Sequence, residues 1–198
     1  MNTQQLQLTI QQAQEGDAHA MSALYDAYYD RIAGYALRRV LDQHVAEDIT
    51  ANVFVKLLEH LPRFTWSHEH SFNGWIYRIA SNEVSQYFRK QARYEFIPPS
   101  NMDAVYAAVG EHRHSAADLE DELDLHQDFL RLYAGIRKLR SRHQEVIHLF
   151  YFENLSHREI AGALGMREGS VRVTLHRAIN KLQKHITSDT ALSSVGVA

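Results

Sequence analysis

The stretch "LSHREIAGALGMREGSVRVTLHRAINKLQK", Leu155 to Lys184, carries two helical patterns on either side of a glycine. Ser156 and Glu159 have the spacing of a capping box, in which a hydroxyl and a carboxylate satisfy each other's backbone N–H groups at a helix start. Ile160, Ala161 and Leu164 supply an inner face, and Gly165 suits the left-handed residue that closes a short helix. After a tight turn, Val171, Leu175, Ala178, Ile179 and Leu182 return at helical spacing, which turns Arg172, His176, Arg177, Asn180 and Lys184 away from the core. That is helix-turn-helix anatomy. The basic helix has two readings. It can enter the DNA major groove, where Arg meets guanine O6 and N7 and other cations neutralise phosphate, or it can be the solvated face of a helical hairpin. Cations gathered on one helix rather than spread over the domain favour the first.

Charge along the rest of the chain points the same way. Of the 198 residues, 1–94 carry 9 Lys/Arg against 10 Asp/Glu, 95–129 carry 1 against 9, and 130–186 carry 11 against 4. The overall charge of -3 therefore hides an acidic connector between a near-neutral half and a basic one.

Helical periodicity dominates both halves, and no stretch alternates as a strand would, so an all-α fold of two small helical domains is expected. Met21, Leu24, Tyr25, Tyr28, Ile32, Tyr35 and Ala36 make one stripe. Val45, Ile49, Val53, Phe54, Leu57, Leu58 and Leu61 make a second, ended by Pro62. Trp75, Ile76, Ile79, Ala80, Val84, Tyr87 and Phe88 make a third, starting near Asn73. Pro98-Pro99 and the acidic run after it predict a flexible or partly helical linker. Beyond it Phe129, Leu132, Tyr133, Ile136 and Leu139 form another stripe, and Ser141 with Gln144 predicts a second capping box. The expected divisions are a 1–15 extension, a 16–94 domain, a 95–127 linker, a 128–186 domain and a disordered 187–198 tail.

Several classes of function fall away on composition. No window offers the roughly 20 apolar residues that span a bilayer, and "MNTQQLQLTIQQAQEGD" lacks the basic and apolar regions of a signal peptide, so a soluble, cytoplasmic protein without membrane insertion is expected. With no Cys, thiolate metal sites and disulfides are excluded. The 13 His include His68, His70, His112 and His114, but their spacing does not set two imidazoles on one helical face, and no metal site or cofactor is expected. No phosphate-cradling Gly-rich loop and no set of nucleophile, base and orienter is present, so the chain does not read as an enzyme.

The C-terminal half, on "LRSRHQEVIHLFYFENLSHREIAGALGMREGSVRVTLHRAINKLQK", resembles the promoter-binding region 4 of bacterial sigma factors. The N-terminal half, on "VAEDITANVFVKLLEHLPRF" and "FNGWIYRIASNEVSQYFRKQAR", resembles region 2 of the same family. The two motifs stand in order, joined by a linker with no further region between them. The chain thus resembles the minimal extracytoplasmic-function (ECF) group of the sigma-70 family.

The resemblance implies a protein that binds core RNA polymerase and directs promoter recognition. Region 2 would meet the clamp helices of the largest subunit, and region 4 the flap of the second-largest. In the family the helix from about Val45 to Leu61 docks on that clamp, and its outer face here offers Asp48, Asn52, Lys56 and Glu59. The loop after it and the following helix capture the melted minus-10 strand, which assigns Arg63, Thr65, Trp66, Ser67, His68, His70, Arg78 and Asn82; aromatics among cations suit unstacked bases. The minus-35 element falls to Arg167, Ser170, Arg172, Val173, His176, Arg177 and Lys181. An anti-sigma factor is an implied partner. Outside the resemblance stand a helix-turn-helix regulator acting on duplex DNA alone and, further off, a metal-dependent phosphoesterase using the His clusters.

Overall fold

The computed structural model describes residues 2–67, 71–91 and 119–195. Among them every regular element is helical, as the periodicity predicts. Four helices make the N-terminal half: α1 (Thr3–Gln14), α2 (Ala18–Val40), α3 (Gln43–His60) and α4 (Ser71–Gln91). The C-terminal half holds α5 (Leu119–Arg137), α6 (Ser141–Ile147), a π-helical turn (His148–Phe152), α7 (His157–Leu164) and α8 (Glu168–Val195).

Local chemistry sets most of these boundaries. Asn2 and Gln5 form a reciprocal capping box at the start of α1. Asp17 caps α2 by accepting from His19 N at 2.8 Å, and Asp42 caps α3 by accepting from Val45 N at 3.0 Å. Arg38 and Arg39 occupy the last turn of α2, where cations complement the helix dipole. Leu41 then takes a left-handed conformation, φ 58°, unusual for a residue with a Cβ. Its side chain is buried with Tyr133 of α5, and that packing holds the turn between α2 and α3.

The apolar stripes face inward as in amphipathic helices, with three exceptions. Leu24, Ile32, Leu57 and Ile76 are completely buried, each such side chain stabilising the fold by about 1.5–3 kcal/mol. Tyr25 is 44% exposed, Leu58 53% and Phe88 37%, although each belongs to an apolar stripe. Tyr25 stacks beside Tyr29 and Phe54 on the surface between α2 and α3.

Two further expectations are corrected. The capping box at Ser141 does not form: Arg140 is the cap position and makes no side-chain cap bond. Gln144 instead donates to the carbonyls of Arg137 and Leu139, at 3.2 and 2.9 Å, closing the end of α5. The tail expected to be disordered from 187 is helical through Val195, because no Gly or Pro interrupts α8 after Gly169, and Thr187 returns its hydroxyl to Gln183 O at 2.9 Å. The last part of the linker is helical, within the flexible or partly helical segment expected there, since α5 begins at Leu119; residues 92–118 lie outside the described residues.

One hydrophobic cluster runs through both halves, from Leu6 and Ile10 of α1 to Val171 and Ala178 of α8. Its densest seam is the crossing of α4 with α7, where Gly74 meets Gly162. A Cβ at Gly74 would lie 3.1 Å from the Glu159 carbonyl oxygen and 3.5 Å from Gly162 Cα, so the backbones approach because neither residue has a side chain.

Candidate nucleic-acid interface

The helix-turn-helix forms where the sequence places it. Ser156 and Glu159 make the reciprocal box, with Glu159 Oε2 accepting from Ser156 N at 2.7 Å and Ser156 Oγ from Glu159 N at 3.2 Å. Gly165 closes α7 at φ 62°, a left-handed conformation that a Cβ would oppose. Val171, Leu175 and Ala178 anchor α8 in the core. The opposite face presents Arg167, Ser170, Arg172, Val173, His176, Arg177 and Lys181, all exposed. Arg172 is tethered to its own helix through Glu168 Oε1 at 2.6 Å, while His176 Nε2 lies 3.1 Å from Asn180 Nδ2. The Arg172–Glu168 pair is solvent-exposed, and such i,i+4 pairs are worth about 0.3–0.5 kcal/mol, which leaves Arg172 able to exchange Glu168 for a better acceptor.

The second candidate surface follows α3. A 3₁₀ turn, Leu61–Arg63, leads into Phe64, whose ring packs on Phe72 at 5.4 Å and Trp75 at 4.9 Å. Arg63, Thr65 and Ser67 are exposed, whereas Trp66 is partly buried against the core. His68 and His70 lie outside the described residues. Asn82 is exposed on α4. Arg78 is turned onto the other half, where its Nε and Nη2 both donate to Gly162 O, at 2.8 and 2.5 Å.

On α3, Asp48, Asn52 and Glu59 are exposed. Lys56 is not part of a free face, because its Nζ is paired with Glu83 of α4 at 2.6 Å. Val55 and Leu58, 52% and 53% exposed, add apolar area to the same helix.

Sequence reasoning missed the polar chains that join the halves. Tyr28 OH donates to Asn73 Oδ1 at 2.7 Å, and Asn73 Nδ2 donates to Glu159 Oε1 at 2.6 Å, so the capping carboxylate also serves as an interdomain acceptor. Glu153, buried, accepts from Arg38 of α2 and from the Tyr77 hydroxyl of α4, while its carbonyl accepts from Arg31 at 3.2 Å. Burial first, and then the Glu153 carboxylate, hold the Tyr77 hydroxyl well above its ordinary pKa. Glu145 accepts from Ser81 Oγ at 3.0 Å. Only an unexplained acidic residue flanked by apolar ones, as in "FYFENL", hinted at such an acceptor.

Among the described residues no group of His, Asp or Glu is gathered to hold a metal ion, and no helix is long and apolar enough to cross a membrane. A cleft of about 770 Å³ lies between α1, α2 and the turn before α7, lined by Leu6, Tyr28, Arg31, Tyr151 and Glu159, away from the basic face of α8.

Comparison with known proteins agrees with this anatomy. Residues 24–94 match the family described as Sigma-70 region 2, and residues 129–182 match Sigma-70, region 4. The chain is 32% identical over 166 residues to the RNA polymerase sigma factor YlaC of Bacillus subtilis, covering 83% of this chain and 90% of that protein. It is 29% identical over 181 residues to the ECF RNA polymerase sigma factor BldN of Streptomyces coelicolor, covering 91% of this chain and 65% of that longer protein. Its fold is similar to that of CnrH, solved in complex with the cytosolic domain of CnrY, with a TM-score of 0.69 at 19% identity over 95% of this chain and 99% of that one. With both regions matched in order on a helix-turn-helix and the helical bundle before it, the chain belongs to the sigma-70 family, among the ECF RNA polymerase sigma factors.

Proposed function

We propose that residues 16–94 and 128–186 divide promoter recognition between them, with core RNA polymerase performing the chemistry in the cytoplasm and this chain supplying no catalytic group. The observation that carries this reading is the exposed basic face of α8, with Arg167 just before it and running to Lys181, opposite a buried apolar face. Arg172 is the leading reader of minus-35 base edges, with Ser170, Val173 and His176 beside it, and Arg167, Arg177 and Lys181 hold phosphate. Arg63, Thr65, Trp66, Ser67, His68, His70, Arg78 and Asn82 take the melted minus-10 strand by stacking and polar contacts, without nucleotide hydrolysis. Arg78 does so after release from Gly162 O, to which it donates in this structure. Asp48, Asn52 and Glu59, with the exposed Val55 and Leu58, face the clamp helices of the largest polymerase subunit, and Lys56 supports them through Glu83. Region 4 meets the flap of the second-largest subunit.

An anti-sigma factor belongs to this reading as a regulatory partner. The sigma factor RpoE of Bartonella quintana, similar in fold at a TM-score of 0.59 and 18% identity, was solved in complex with the anti-sigma factor NepR. Transcription in vitro tests the whole reading. Full-length protein with core polymerase should start at specific promoters, and neither component should do so alone. Specific initiation on no template from its own genome, its own promoter region included, would overturn it. Duplex binding by the purified chain, undiminished without polymerase and with no initiation, would favour the regulator instead.

A further inference from the structure

The N-terminal helix α1 lies outside the residues matched to region 2, which begin at 24. It is nevertheless built into the bundle. Leu6, Ile10 and Ala13 are buried, and its last turn is locked by Asp17 N donating to Gln12 O at 3.0 Å across a turn in which Gly16 has φ 91°. That lock aims the side chain of Gln14 at a segment 47 to 50 residues away. Gln14 Nε2 donates to Leu61 O at 2.9 Å and to Phe64 O at 2.6 Å. A primary amide has two N–H donors, so one nitrogen can hold both carbonyls at once.

These two carbonyls bracket the 3₁₀ turn that ends α3. Leu61 O also takes Phe64 N at 2.9 Å, which closes the turn. Phe64 leaves it extended, at φ -69° and ψ 130°, with its ring seated on Phe72 and Trp75. The stem is thus fixed by the ring on one side and by the amide on the carbonyls. The exposed Thr65 and Ser67 follow at once.

We infer that Gln14 is a positioning residue for promoter opening: it staples the N-terminal helix to the stem of the loop after α3, presetting the direction in which Thr65 to Ser67 meet the melted strand. The inference rests on the reading that this loop receives single-stranded DNA. A preset stem removes the ordering that base capture would otherwise have to supply. Gln14 touches no base.

The experiment uses full-length Gln14→Leu, which is similar in size and has no donor, and Gln14→Lys, which keeps a donor of comparable reach. Hydrogen exchange on the free protein reads the staple directly. Gln14→Leu should exchange the amide of Phe64, which donates to Leu61 O, about fivefold to tenfold faster, in line with loss of two ordinary hydrogen bonds at the stem, while α2 and α4 keep their protection. With core polymerase, permanganate reactivity of promoter thymines should fall about as much, core binding and minus-35 duplex binding should hold, and Gln14→Lys should recover part of the loss. Unchanged exchange at Phe64, or equal acceleration throughout α2 and α4, overturns the inference. So does normal opening by Gln14→Leu where a control with Thr65, Trp66 and Ser67 all changed to Ala opens poorly. Normal opening by that control overturns the loop reading instead, and the exchange result still decides whether Gln14 holds the stem.

Discussion

Gly74 of α4 and Gly162 of α7 cross with nothing between them, each lacking the Cβ that would come within 3.5 Å of the other's Cα. Glycine inside a helix costs about 1 kcal/mol relative to alanine, so the two positions oppose local helix stability and serve only the contact between halves. Replacing Gly74 by Leu should separate α4 from α7, since the Glu159 carbonyl oxygen is backbone and has little room to yield. Small-angle scattering should show a larger radius of gyration than the parent chain, with helical circular dichroism retained. An unchanged radius would show that the seam tolerates a side chain.

Glu153 joins the halves through Arg31 and Arg38 of α2 and Tyr77 of α4. Changing it to Ala leaves Arg38 without its anion and Tyr77 without its acceptor, both largely buried. Breaking such a pair costs about 3–5 kcal/mol, which lowers the melting temperature by roughly 6–20 °C in a chain of this size. Glu153→Gln, which keeps an acceptor for Tyr77, should lose less. Thermal melts of the three proteins check the order, and equal stability of parent and Glu153→Ala would contradict it.

His148 supplies a pH dependence of known sign. It is fully buried against Tyr133 and Phe152, and burial first, then Arg39 and Arg38, push its pKa well below 6.5. The unfolded chain binds a proton near the ordinary value while the folded chain refuses it. Stability from neutral His148 is therefore complete above about pH 6.5 and falls as pH drops below it, by up to about 1.4 kcal/mol per pH unit. Melts at about pH 7.5 and 5.5 should diverge more for the parent than for His148→Phe. Parallel losses in the two proteins would remove His148 from the account.

On α8 the readers and anchors should separate. Arg172→Ala should relax preference at one or two minus-35 positions, a bidentate Arg–guanine contact being worth about 1–3 kcal/mol. Arg177→Ala should weaken every promoter about equally and lower the salt slope by about 1. Binding to a panel of single-base variants at several salt concentrations measures both. A uniform loss across the panel for Arg172→Ala would reduce the helix to an electrostatic anchor.

The helical stripes from Met21 to Phe88 and from Phe129 to Leu182, the turn at Gly165 and the basic face of α8 were legible in the chain itself because each follows from neighbours within one or two turns: apolar spacing, a Ser–Glu box, a glycine at a left-handed cap; the helix α1, read only as an extension, was not. The motifs around Asp48 and Trp75 were legible for the same reason. The role of Lys56 was not, since its carboxylate partner stands 27 residues away on another helix. Nor was the engagement of Arg78 by Gly162 O, 84 residues on, or that of Gln14 by the stem carbonyls. Ser141 shows the limit within local pattern: the box spacing is present, but Gln144 donates instead to the carbonyls of Arg137 and Leu139 at the end of α5. Such pairings depend on which surfaces the bundle brings together, and burial rather than sequence distance sets their strength, so only the tertiary structure decides them.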